Sequence, residues 1–217
     1  MCSHYRPVTD VQRYRSFFGA VLPNGTRPDL WPGYVGSFIR RPLEADAGDE
    51  AVAQHEALPG VFGLIPHWAK DSKISRQTYN ARSETVAEKP SFRDAWRRAQ
   101  HCIIPADWIY EPDWRSGKAV PTRIQRSDGH PMGIAGLWAS CKLGDEWVHS
   151  FTMLTVNANN HELMRNFHRP QDEKRMVVIL GEGAYDAWLD ASAGPASVEF
   201  MQQYSANALR AEPEGTE

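Results

Sequence analysis

With 217 residues, 41% of them hydrophobic and 24% charged, the chain is ample for one buried core and has the balance of an ordinary globular domain. A net charge of −3 argues against a protein that binds nucleic acid through bulk positive charge. No run approaches the ~20 apolar residues of a membrane span. The three cysteines, Cys2, Cys102 and Cys141, are odd in number and far apart, which argues against a disulfide framework and a structural zinc. The expectation is a cytoplasmic, monomeric protein without membrane attachment, metal or cofactor.

In chain order, strand-like N-terminal residues lead to Thr9, placed to cap a helix running to Phe18 with Val11, Tyr14, Phe17 and Phe18 on one face. Residues 22–32 are rich in Pro, Gly and Asn and read as loop. Residues 34–39 read as a strand, 42–50 as an acidic loop, and Val61–Pro66 as a short apolar strand. Residues 67–80 have little periodicity and read as an ordered surface segment. Ser91 is placed to begin a helix with Phe92, Trp96 and Ala99 on its apolar face. Strands follow at 101–104, 107–111, 120–125, 132–139 and 147–156, with turns at Gly117, Asp128-Gly129 and Gly144-Asp145. A short helix at 158–165, a buried strand at 176–180 and an amphipathic helix at 182–190 complete the pattern. Many antiparallel strands with few helices predict a single α+β domain, a mostly antiparallel twisted or barrel-like sheet with flanking helices. It should span residues 1–210, with 211–217 as an acidic, disordered tail.

Cys2 stands behind a removable Met1. Once Met1 is gone, Cys2 carries a free α-amine, titrating near ~7.7–8.0, beside a thiol near ~8.5. The amine condenses with an aldehyde to an imine, and the thiol closes a thiazolidine ring on it. The same terminus is also suited to an N-terminal-nucleophile amidohydrolase. Four further segments hold chemistry, each with a plain structural use as well. Asn80, Arg82 and Glu84 crowd five positions, where an Arg fork matches phosphate or a salt bridge within the loop. Glu111 ends an apolar strand, placed as acid/base or as an edge carboxylate. His168 precedes a core strand and titrates near neutrality. Trp68, after Pro66, is a base-stacking platform or a core ring. Bases cluster at Arg40-Arg41, Arg93 with Arg97-Arg98, and Arg165 through Arg175. They allow a local basic groove on a mildly acidic protein.

The order of these pieces resembles the SOS-response-associated peptidase family of abasic-site-processing proteins. The resemblance is carried by Met1-Cys2, the run from Phe62 to Trp68, Asn80-Ala81-Arg82-Ser83-Glu84-Thr85, the Ser91–Trp96 and Arg98–Ala106 segments, Trp108-Ile109-Tyr110-Glu111-Pro112 and His168-Arg169-Pro170. It implies covalent capture of abasic sites in single-stranded DNA by Cys2. Self-removal of Met1 comes with it, as does a lyase-like activity of single or slow turnover. The resemblance assigns proton transfer to Glu111, protonation of the sugar oxygen to His168, and positioning of the sugar and Cys2 backbone to Asn80. Trp68, Arg82, Arg165, Arg169 and Arg175 become candidate DNA contacts. The chain departs from the family pattern at Ser3-His4-Tyr5, at Trp31–Gly36 and in the lengthened stretch from His168 to Met176.

Overall fold

The computed structural model describes residues 2–43 and 53–214. Met1, most of the acidic loop and the last three residues therefore lie outside the described residues. Among the described residues, eleven strands form one sheet: β1 (His4–Pro7), β2 (Val35–Arg40), β3 (Glu56–Phe62), β4 (Asn80–Arg82), β5 (His101–Asp113), β6 (Val120–Arg126), β7 (Met132–Leu143), β8 (Glu146–Asn157), β9 (Arg175–Val177), β10 (Ile179–Leu180) and β11 (Leu209–Pro213). Strands β5, β7, β8, β3 and β2 pair in a circuit that returns to β5, so the sheet closes on itself as a barrel. The pairs are antiparallel except that β3 and β4 both run parallel to β8. The fold is mixed α and β with few helices: α1 (Val11–Phe18), α2 (Arg93–Arg97), α3 (Tyr185–Asp190) and α4 (Pro195–Val198). Inside the barrel Phe62 stacks on Phe151 and meets Tyr5 edge-on, all three fully buried.

Several boundaries differ from the sequence reading. Asp10, not Thr9, caps α1, accepting from the Arg13 amide at 2.7 Å. Val11 faces solvent while Tyr14 and Phe18 are buried. The apolar strand starts five residues earlier, at Glu56, and stops at Phe62, because Gly63 turns the chain with φ 113°. A Cβ there would lie 2.0 Å from the Ser75 carbonyl oxygen, so only glycine fits this crossing. The predicted helix at Ser91 is a five-residue α2 with no side-chain cap. The two strands flanking Pro105 are one strand, β5. Pro105 is in register with Gly133 of β7, but its carbonyl accepts from Val8 on the other side, where β5 passes from β2 at Ile103 to β1 at Ala106, so its missing N–H falls at that changeover and not in the β7 ladder. The predicted helix at 158–165 reduces to a 3-10 turn at Met164–Asn166, and the strand at 176–180 splits at Val178. The predicted tail is ordered from its start. Residues Ala211–Pro213 continue β11, which pairs with β6 at the edge of the sheet, where a disordered end was expected.

Candidate active site

Strand β5 turns Ile109 and Glu111 inward and Trp108 and Tyr110 outward, by simple alternation. β1 lies along it with His4 opposite Tyr110, and this pairing draws Cys2 into the barrel mouth, 1% exposed. The Cys2 thiol donates to the His4 carbonyl at 3.4 Å. Asn80 opens β4, and its Nδ2 donates to the Cys2 carbonyl at 2.7 Å. The 167–168 segment docks on the far end of β5 through an Asp113–Phe167 bridge and the His168 amide, which donates to Pro112 at 3.0 Å. His168 holds a left-handed φ of 63°, a conformation that costs a side-chain-bearing residue energy and is kept by its surroundings. Its Nδ1 lies 3.3 Å from a Glu111 carboxyl oxygen. The structure thus brings Cys2, Asn80, Glu111 and His168 together from four separate segments.

Burial sets the protonation here. It pushes the Cys2 thiol far up, and the charge of Glu111 adds to that, so the sulfur is a thiol at neutral pH. Glu111, 2% exposed, is pushed up to about 7 by burial. His168 is pushed down to about 4 by the same cause and is neutral at pH 7. The Arg175 carbonyl, 3.2 Å from Nε2, can only accept, which places the imidazole proton on Nε2 and leaves Nδ1 as acceptor toward Glu111. Glu111 faces that acceptor at 3.3 Å and titrates near pH 7, so a proton can be given or retaken there near neutral pH. Tyr79, just before Asn80, is raised by burial and then by the charges of Cys2 and Glu111.

A groove of about 290 Å³ leads away from Asn80, lined among others by Arg82, Lys89 and Phe92. Trp68 is 48% exposed, and its indole N–H donates to the Pro90 carbonyl at 3.4 Å, on the rim of that groove. Arg82 lines the groove but pairs with Glu173 at 2.7 Å, not with Glu84 as its loop position suggested. Glu84 is held by Arg175, at 3.0 and 2.9 Å. Arg175 also binds Glu173 and the Thr155 carbonyl and is 2% exposed; its assignment as a DNA contact is therefore wrong, because its guanidinium is committed to cross-bracing β8 and β9. Arg165 and Arg169 are exposed, the latter over the Trp114 ring at 5.3 Å. Sequence reasoning missed the His4 carbonyl, Tyr79 and Glu173; only Tyr79, adjacent to Asn80, carried a local signal. Asp128, His130 and Glu182 have ligand atoms within 4.8 Å of one another, but the Arg126 guanidinium bonds both carboxylates and leaves a poor cation site.

The family model for SOS response associated peptidase (SRAP) matches residues 1–216. The chain is similar to the abasic site processing protein YoqW of Bacillus subtilis, 36% identical over 154 residues, which cover 69% of this chain and 65% of that protein. It is also similar to the abasic site processing protein YobE of the same organism, 34% identical over 165 residues, covering 70% and 72%. A crystal structure of a protein from Bordetella bronchiseptica superposes with a TM-score of 0.88 at 47% identity, over 98% of this chain and 99% of that one. The match to YoqW thus spans less than two thirds of that relative's length.

Proposed function

The chain belongs to the SOS response associated peptidase family, and on that premise we propose that it captures abasic sites in single-stranded DNA covalently, through the aminothiol of Cys2. The observation that carries this reading is the convergence of Asn80, Glu111 and His168 on Cys2. The terminus is generated by loss of Met1, in which the protein itself takes part through Cys2. The Cys2 α-amine adds to the open-chain aldehyde of the abasic sugar, and the carbinolamine loses water to give an imine. Glu111, poised near pH 7, takes the amine's proton and returns it to the departing hydroxyl. With His168 neutral and its Nε2–H held by the Arg175 carbonyl, the proton that opens the sugar comes from Glu111, and His168 Nδ1 faces that carboxyl at 3.3 Å. The thiol then adds to the imine carbon. Its S–H proton ends on nitrogen and the five-membered ring closes.

Asn80 fixes the Cys2 backbone, Arg82 takes a flanking phosphate, and Trp68 stacks at the groove rim. The protein works on DNA as a monomer in the cytosol, and its turnover is slow because the product is stable. Incubation with abasic single-stranded DNA should give a denaturation-resistant complex. Cys2→Ser keeps the amine but cannot close the sulfur ring, so only a hydrolysable imine forms. A stable complex of full yield with that variant, without reductant, would refute the thiazolidine.

A further inference from the structure

The loop before β2 carries a preformed ring stack. His4 lies between Trp31 (centroids 4.0 Å, 13° between planes) and Tyr110 (4.1 Å, 9°). The imidazole is tethered by Asp29 at 3.1 Å from Nε2. The loop is pinned on both sides of Trp31: Tyr5 and Leu30 exchange backbone hydrogen bonds, the Gly33 amide donates to Phe62 at 2.7 Å, and the Tyr34 amide donates to Trp31 at 3.0 Å. Yet Trp31 is 45% exposed and Tyr34 42%, unusual for large rings held so firmly. Among the described residues no ring or cation packs on the outer face of Trp31. Arg27 lies over Tyr34 at 4.7 Å, and Arg76 lies against Gly33; neither makes a salt bridge among the described residues. The stack is rooted beside the reactive centre, since the His4 carbonyl is the acceptor of the Cys2 thiol.

We infer that Trp31 is a base-stacking subsite: the nucleobase next to the captured abasic site extends the Tyr110–His4–Trp31 stack by one ring, while Arg27 and Arg76 meet the adjoining phosphates. A flat, rigid, parallel stack ending in an open face favours another flat ring, and guanidiniums without acidic partners favour a polyanion. A single strand supplies both. The subsite is built from Trp31, His4 and Tyr110. It rests on the proposed action on single-stranded DNA.

The test uses single-stranded DNA bearing an unreactive tetrahydrofuran analogue of the abasic site, with the fluorescent base aminopurine on one side of it or the other. In the parent, one of the two placements should be quenched on binding. Trp31→Ala should weaken binding roughly five- to tenfold and abolish that quenching. Trp31→Phe should restore part of both. Thermal melts confirm that they fold. Parent-level affinity and quenching in Trp31→Ala, with adduct still forming, would overturn the subsite alone. Failure of the parent to form adduct or bind the analogue would overturn the capture reading instead.

Discussion

Strand β5 has a buried histidine cluster at each end, and the two ends are built to opposite purposes. At its start, His101 is 2% exposed, stacks on Trp188 at 4.0 Å, and shares a 3.1 Å hydrogen bond with Ser197. At its far end, His168 faces Glu111. Burial pushes both imidazoles down to about 4, so neither is a cation at pH 7. Depressed basicity therefore does not separate a functional histidine from a structural one. What separates them is the partner. His101 meets a hydroxyl and an indole ring inside the packing of α3 and α4. His168 meets a carboxyl that titrates near neutral pH and whose charge acts on the Cys2 thiol.

The sharpest way to break this comparison is to remove the titrating partner. Glu111→Gln keeps the shape and loses the proton exchange. Adduct formation should slow by about two orders of magnitude, and the inflection near pH 7 in the rate profile should disappear. A parent-like rate would strip Glu111 of its role and leave the two ends of β5 equivalent.

Next is the effect of pH on folding. His101 in the folded state titrates at about 4, below its unfolded 6.5, so the stability it contributes is complete above pH 6.5 and is lost as pH falls through 4. His101→Gln, with an amide that does not titrate, should remove on the order of 3 kcal/mol of that acid-side loss. Denaturant melts between pH 7 and 4 would read it, and capture at pH 7 should hardly change. Glu111 runs the other way: its folded value of about 7 lies above 4.5, so the stability it contributes is present below 4.5 and lost as pH rises through 7. The chemical end of β5 is thus the end that weakens the fold at neutral pH. If His101→Gln instead abolished capture with the fold intact, the structural end would have been misassigned.

The smallest expected effect concerns the groove. Glu173 occupies the Arg82 guanidinium that a phosphate would need. The pair is half-exposed and is worth ~0.2–1 kcal/mol. Glu173→Gln should therefore tighten single-strand binding by no more than about fivefold at low salt, and the gain should vanish as salt rises. Weaker binding, measured by anisotropy on the unreactive analogue, would mean that Glu173 orients Arg82 for phosphate instead of masking it.

The closed, mostly antiparallel sheet was legible because its turns are marked by Gly117, Gly129 and Gly144, all at positive φ, and its strands by alternation. Helix starts were less legible, since Thr9 and Asp10 are adjacent cap-forming residues, and the structure uses Asp10, the stronger of the two. The gathering of Cys2, Asn80, Glu111 and His168 could not be read from spacing; it came from the likeness to a family pattern, and the structure supplies the distances. Arg175 failed for a physical reason. A basic residue before a core strand looks like surface, and its burial depends on Glu84, 91 residues away. The pairing of Arg82 with Glu173 instead of Glu84 follows from that same exchange of partners.

The hydrogen bond that holds the Cys2 carbonyl is donated from 78 residues downstream, and His168 comes later still. Contacts of such separation close late, and barrels built from them fold in milliseconds to seconds. During synthesis Cys2 leaves the ribosome well before Asn80, Glu111 and His168, and its setting is completed only after they have followed. An N-terminal fragment that stops short of His168 therefore has Cys2 without all of the residues that gather round it in the folded chain. Capture competence should appear in one step with the folded barrel and be absent from every truncated nascent chain before it.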